Sequence, residues 1–458
     1  MHRQQLRFLK NWLNNPHRKP LIIRGARQVG KSTLVRLFAE QFGLSLLDVN
    51  LERYPELADV FRRNDPKDIL ANIEFLPNIP VVDKQSLLFL DEIQAVPEAI
   101  PALRYFYEEQ RDLPVISAGS LLEFVLADHH FSMPVGRVQY LHMGPMGFSE
   151  FLDAMGEHKL STLIRTYHYG DAISDLVHNR LMSLLRSYYF VGGMPEAVAA
   201  FTDSNSYRHV SEVHNSIIDT YRDDFPKYAG SRNLNRMLKV FNFAARHVGR
   251  KVKYSAISSQ EQSVTLKRDL ELLAMARVIG KVIHSHCSGL PLQADMNEKV
   301  FKLLFLDVGL MNAISGLNWR SLSQMNENAL INEGTIAEQF IGQHLQALLT
   351  DTPNRELTYW LREGRSANAE VDFVVALQGK ILPIEVKAGA TGSMKSLHQF
   401  MGEKQQSLAI RFDANPPTNF SIDTTIKKGK TSRNVRYQLL SLPLYLVEQL
   451  NKIVGEYD

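Results

Sequence analysis

Gly25-Ala26-Arg27-Gln28-Val29-Gly30-Lys31-Ser32 is the stretch that decides the fold of this chain. It fits G-x-x-x-x-G-K-[ST] at every fixed position. Before it, Pro20-Leu21-Ile22-Ile23-Arg24 reads as a buried strand. After it, Ser32-Thr33-Leu34-Val35-Arg36-Leu37-Phe38-Ala39 reads as a helix ended by Gly43. Strand, glycine loop and helix in that order turn backbone N–H groups and a helix N-terminus toward phosphates. The expected nucleotide contacts are Gly25, Ala26, Arg27, Gln28, Val29, Gly30, Lys31, Ser32 and Thr33. Lys31 would reach the β and γ phosphates, and Ser32 would hold Mg²⁺. The implied ligand is ATP or GTP, with ATP and Mg²⁺ preferred.

The complementary half of such a site lies downstream. Ser86-Leu87-Leu88-Phe89-Leu90-Asp91-Glu92 is an apolar strand ending in two acids. Asp91 at the strand end would bind Mg²⁺ through water, and Glu92 would orient and deprotonate the attacking water. Such a strand is common by itself; some sixty residues after a phosphate loop it gains weight. Residues 46–51, 114–120 and 138–143 read as three more strands of the same sheet. Where an extra strand separates the two motif strands, it ends in a polar residue near the γ phosphate. Ser120 is the candidate for that sensor, and it also reads as an N-cap for a helix beginning Leu121-Leu122-Glu123-Phe124.

These residues carry a resemblance. Arg24 to Ser32, Leu88-Phe89-Leu90-Asp91-Glu92-Ile93-Gln94, Ser117-Ala118-Gly119-Ser120, Gly136-Arg137-Val138 and Gly192-Gly193-Met194-Pro195-Glu196 are similar to a bacterial and archaeal group of AAA-type ATPases. Members of that group often carry a C-terminal domain similar to restriction endonucleases. The resemblance implies that Arg137 is a charge-sensing arginine or a finger acting on a neighbouring subunit. It therefore implies self-association as a homo-oligomer.

The chain has 458 residues, enough for roughly three domains. Hydrophobic residues make up 45% and charged residues 22%, which excludes a disordered chain and fits a globular one. No apolar run reaches the ~18 residues of a membrane span. The N-terminal residues lack the apolar core of a secretory signal. The single Cys287 excludes an internal disulfide and a multi-cysteine zinc site, and a cytoplasmic location is expected. The net charge of +3 is unevenly spread: Phe225 to Lys302 holds fourteen Lys or Arg against five Asp or Glu, a net of +9, leaving −6 elsewhere. A basic block in an otherwise acidic chain suggests a polyanion surface, most often nucleic acid, or else a solvated basic face.

Phe148 to about Tyr228 reads as helical, with Val177, Leu181, Leu184, Leu185 and Tyr188 on one apolar face. Gly192-Gly193 breaks that helix and Pro195 opens the next. A helical lid or packing subdomain is expected. In the basic block, Leu234 to His247 and Ser263 to Leu273 read as helices, and Val278 to His284 as a strand. That order is similar to a winged helix, whose second helix would present Lys267 and Arg268 to DNA. His284 and His286 share a strand face but lack a second ligand pair, which argues against a metal there.

The C-terminal signal is Glu370-Val371-Asp372-Phe373-Val374-Val375-Ala376-Leu377, the turn Gln378-Gly379-Lys380, and Ile381-Leu382-Pro383-Ile384-Glu385-Val386-Lys387. Asp372 on one strand, with Glu385 and Lys387 two apart on the next, is the D-(D/E)-x-K arrangement of restriction-endonuclease-like folds. Asp372 and Glu385 would bind Mg²⁺; Lys387 would activate water or stabilise the pentavalent phosphate. Glu338, in the helix around Ile336–Ile341, matches an upstream acid that many such folds add. Charged residues on the wet face of a hairpin are common, but these acids sit inside very apolar strands, where unpaired charge is costly. Lys427, Lys428, Lys430, Arg433 and Arg436 form a further basic stretch.

The expectation is thus an α/β chain in four parts: a P-loop NTPase (AAA-type) core at 1–147, a helical lid at 148–228, a basic winged-helix-like module at 229–300 and a restriction-endonuclease-like α/β domain at 301–458. It would hydrolyse ATP, engage DNA and cleave it with Mg²⁺ through the C-terminal domain. The alternative is a nucleotide-dependent DNA- or protein-binding signalling protein whose nuclease-like domain is inactive.

Overall fold

Short apolar runs form the first sheet: β1 (Leu21–Arg24), β2 (Ser45–Asn50), β3 (Ser86–Asp91), β4 (Val115–Gly119) and β5 (Gln139–His142). All its pairings are parallel, in the order β2-β3-β4-β1-β5. β3 is buried along its whole length, as expected of a parallel strand covered on both faces. The sheet packs against the helices Lys31–Phe42 and Ala99–Glu109, and Ile22, Val49, Leu88, Leu90, Ile100, Leu103 and Phe106 are buried. Gly43 ends the first of these helices in the left-handed conformation, as its position suggests. β4 is the extra strand between the two motif strands, so the ends of β1, β4 and β3 lie side by side.

This computed structural model describes residues 3–120, 134–229, 233–317, 334–350, 356–362, 369–389, 393–428 and 431–457. They form two compact units: Met1–Gly144 with Met275–Arg277, and Pro145–Ala274 with Val278–Asp458. The helix proposed after Ser120 falls outside the described residues, as do residues 429 and 430.

The second unit is built on an eight-stranded mixed sheet, ordered β12-β13-β11-β10-β9-β8-β6-β7. Its strands are β6 (Ile279–Ser285), β7 (Met296–Phe305), β8 (Leu357–Arg362), β9 (Ala369–Leu377), β10 (Lys380–Val386), β11 (Leu408–Asp413), β12 (Thr418–Lys428) and β13 (Thr431–Pro443). β9 and β10 form the expected hairpin. Gln378 and Gly379 both have positive φ, 50° and 73°, the backbone of a two-residue turn matched to strand twist. The helix Lys395–Lys404 connects the parallel strands β10 and β11, and the helix Gly334–Leu349 packs against β7, β8 and β10.

Two features differ from the four-part expectation. The helices from Phe148 to Ala229, expected as a lid, belong to the second unit, where Tyr188 and Tyr189 pack on Phe340 of the helix Gly334–Leu349. The strand ribbon of the winged-helix-like module is not separate either. β6 pairs antiparallel with β7 and parallel with β8, so the boundary at 300/301 falls inside β7. Strand pairing across distant segments satisfies backbone groups that a free two-stranded ribbon would leave to water.

Candidate functional site

In the first unit, the residues of the two motifs meet beyond the C-terminal ends of β1, β3 and β4. The loop takes its shape from Gln28 at φ 60° and Gly30 at φ 89°. Gly25 has no room for a side chain, since a Cβ there would overlap the Met143 carbonyl oxygen. Gly30 caps the helix Lys31–Phe42 without a side-chain partner, leaving that helix N-terminus to an anion. The buried Lys31 folds back over the loop, its Nζ donating to the carbonyl oxygens of Gly25 at 3.1 Å and Ala26 at 2.8 Å. Burial lowers its pKa to about 8, against the opposing pull of the Glu92 and Asp91 charges.

Ser32 Oγ donates to Asp91 Oδ1 at 3.0 Å, so the two predicted Mg²⁺-binding residues are already in contact. Burial raises the Asp91 pKa, and the Ser32 hydrogen bond opposes it. Glu92 follows in the left-handed conformation at φ 51°, rare for a residue with a side chain, and is half-buried. Its Oε2 accepts from Gln94 Nε2 at 2.5 Å. Ser120 Oγ and Gln94 Oε1 are buried with no hydrogen-bond partner among the described residues. Orphaned polar atoms beside a carboxylate, together with the glycine cradle, fit a phosphate and its attacking water. Ala26 and Val29 are buried in the loop, Arg27 is half-buried and Thr33 is exposed on the first helical turn.

Arg137 is not brought to this place. It precedes β5, at the opposite end of the sheet from the loop, and its Nε bonds Glu108 Oε1 at 3.0 Å. Three residues beyond the expected contacts do join the site. Arg3 is buried and donates to the carbonyl oxygens of Val29 at 3.1 Å and Gly144 at 2.8 Å, bracing the loop from below. Arg36 bonds Asp48 at 2.7 Å and lies 3.9 Å from Asp91. Gln94 holds Glu92. Helical spacing places Arg36 one turn past Ser32, a signal for its side of the helix but not for its partners.

In the second unit, the D-(D/E)-x-K hairpin forms, but its acids have partners within the chain. Asp372 Oδ2 accepts from Val386 N at 2.8 Å. Lys387 Nζ lies 2.5 Å from Glu385 Oε1, while Glu385 Oε2 is buried without a partner among the described residues. Burial, and then the Asp372 charge, raise the Glu385 pKa against the pull of Lys387. Glu338 is paired with Lys302, a residue sequence reading had counted only as basic charge. Among the described residues no three His, Cys, Asp or Glu side chains group to hold a metal. That includes His284, which is buried, and His286, which is exposed. The unpartnered Glu385 oxygen, with the Asp372 charge near it, has the chemistry to accept a cation.

The basic helices form at Leu234–Arg246 and Ser263–Met275, with a short helix Tyr254–Ile257 between them. Arg236 joins the two long ones, its Nε and Nη2 reaching Asp269 at 2.5 and 3.2 Å. Lys239, Arg246, Arg250, Lys253, Lys267 and Arg268 are exposed. Arg433 and Arg436 are exposed on β13, the latter paired with Asp423 at 2.8 Å.

Residues 17–152 match the profile of an AAA domain. Residues 182–321 match a domain of unknown function (DUF8612), and residues 333–435 another (DUF4143). No curated protein matches the chain. Similar solved structures include the Aeropyrum pernix ORC2 protein in its ADPNP-ADP complexes, at 13% identity and TM-score 0.34, covering 70% of this chain and 93% of that one. Another is the Thermotoga maritima RuvB Holliday junction branch migration motor, at 14% identity and TM-score 0.28, covering 61% and 89%. Scores this low carry neither fold nor function across. The domain match agrees with the loop, the paired acids and the interposed strand: residues 17–152 of the first unit are a P-loop, nucleotide-binding domain of AAA type.

Proposed function

We propose that the chain hydrolyses ATP at the Gly25–Ser32 loop and that its nucleotide state governs engagement of DNA by the basic surface of the second unit. The observation that carries the reading is the convergence of Lys31, Ser32, Asp91 and Glu92 beside the unpartnered Ser120 hydroxyl. Lys31 exchanges the Gly25 and Ala26 carbonyls for phosphate oxygens, and Ser120 donates to the γ phosphate. Glu92, steadied by Gln94, takes a proton from the attacking water. Mg²⁺, held by Ser32 and Asp91, supplies charge neutralisation on the phosphates. Arg137, 43% exposed and away from its own loop, serves a second copy of the chain in this reading. Exposed Lys267 and Arg268 contact the phosphodiester backbone, making DNA binding salt-dependent. Asp372 and Glu385 would hold a divalent cation, which would supply charge neutralisation on a scissile phosphate, and Lys387 would donate to that phosphate in Mg²⁺-dependent cleavage.

A second reading, nucleotide-dependent binding of DNA or protein without cleavage, is favoured by the partners that Glu338, Asp372 and Glu385 already have. Incubation of linear, circular and single-stranded DNA with Mg²⁺ or Mn²⁺, with and without ATP, separates the two. Cleavage that Lys387→Ala abolishes while ATP turnover persists supports the nuclease. Intact DNA retained only with ATP supports the binding reading. Absence of both cleavage and nucleotide-dependent retention sinks the DNA proposal altogether.

A further inference from the structure

The carboxylates around the hairpin contain a cation that belongs to the chain itself. Lys302 sits on β7 with 1% of its side chain exposed. Its Nζ lies 3.1 Å from Glu338 Oε1 and 2.5 Å from Glu370 Oε1. It also lies 5.0 Å from the centroid of the Tyr359 ring. Burial alone would lower the pKa of this ammonium, but Glu338, Asp372 and Glu370 outweigh burial and hold it above the ordinary lysine range. The far side of Glu338 is closed as well. Gly249, at φ 73°, passes so near that a Cβ there would overlap Glu338 Oε2. Gly249 is fixed in turn by its N–H on the Leu303 carbonyl, 3.1 Å away. A buried lysine is tolerated where several acids surround it.

We propose that Lys302 is a built-in counter-cation: its ammonium occupies the place beside Glu338 and Glu370 where an upstream acid would otherwise bind a metal, so Glu338 is not a metal ligand in this chain. The inference concerns the same cluster as the proposed cleavage but does not require it. Asp372 and Glu385, bonded to Val386 N–H and Lys387, keep one buried oxygen unpartnered among the described residues, Glu385 Oε2, through which a single divalent cation could still be taken.

Mn²⁺ titration of the full-length protein, followed by the electron paramagnetic resonance of free Mn²⁺, tests this. The wild type is expected to bind at most one Mn²⁺ outside the nucleotide site, counted in Lys31→Ala, Asp91→Asn protein. Glu338→Gln in that background should leave the Kd within about twofold. Lys302→Met should add one Mn²⁺ per chain, and the Lys302→Met, Glu338→Gln double variant should lose it. A tenfold or greater weakening by Glu338→Gln alone overturns the proposal, because Glu338 would then be a ligand with Lys302 in place. A folded Lys302→Met that gains no Mn²⁺ overturns it too. If Lys302→Met does not fold, the Glu338→Gln comparison decides where the parent binds Mn²⁺; otherwise Lys302→Arg, which keeps the cation, is expected to restore folding, and failure to do so counts against the proposal. Absence of Mn²⁺ from the parent protein defeats the nuclease reading but leaves the Lys302 assignment to these variants.

Discussion

Lys31 is half of a proton-linked binding equilibrium. In the nucleotide-free site burial holds its pKa at about 8, and phosphate oxygens favour the charged ammonium, so the bound pKa is higher than the free one. Well below pH 8 the ammonium is already present and Lys31 adds no pH dependence to affinity. Above it each bound nucleotide must take up a proton, and affinity falls by up to about tenfold per unit. Calorimetry in two buffers of different ionisation enthalpy should show proton uptake near pH 9 that shrinks as the pH falls through 8. Glu92→Gln should lower kcat for ATP roughly 10²–10⁴-fold, with nucleotide Kd changed only a few-fold, in a steady-state assay beside a binding titration. The motif residues could be read from the chain because loop geometry and phosphate chemistry fix their spacing. Arg3 could not, since its acceptors lie 26 and 141 residues away and nothing local marks the pairing. Lys302 was missed for a related reason: a count of charges does not register that one of them is buried.

At the scale of elements, the break between the helices Asp175–Val191 and Pro195–Ser204 is exacting. Gly192 has φ 71° and ψ −166°, a region almost confined to glycine, and a Cβ there would overlap Asp307. Asp307 is fully buried, accepts from Gly193 N at 2.7 Å and Leu310 N at 3.0 Å, and is raised by burial to about 6 against those hydrogen bonds. Gly192→Ala should cost about 1–3 kcal/mol from the backbone alone, measured as a shift in the denaturant midpoint. Arg236→Met leaves Asp269 buried and unpaired, and should destabilise by about 3 kcal/mol. Adding Asp269→Leu should recover most of that loss in the same measurement. The strands of the first sheet were readable because parallel strands buried on both faces are continuous apolar runs. β12 and β13 were not: their alternating, charged pattern reads equally as a basic loop.

At the scale of the molecule, the basic block is divided by folding into charges that hold the second unit together and charges that face solvent. Arg236 and Lys302 belong to the first kind, Lys267 and Arg268 to the second. Alanine at both exposed positions should therefore weaken DNA binding on any sequence and reduce the slope of log K against log salt by about two. Fluorescence anisotropy over a salt series checks this, and an unchanged slope would place the contact elsewhere. The winged-helix reading anticipated the helices but not the fate of their ribbon, since which strand a ribbon joins depends on segments some seventy residues downstream. That junction has a practical and an evolutionary side. The two matched families of unknown function meet between residues 321 and 333, yet β6 of one is hydrogen-bonded to β8 of the other. Cutting the gene at that seam would strip β8 of a neighbour and expose an unpaired, apolar edge prone to self-association. Recombination that separated the two segments would meet the same penalty, so the β6–β8 ladder sets a physical cost on inheriting either one alone.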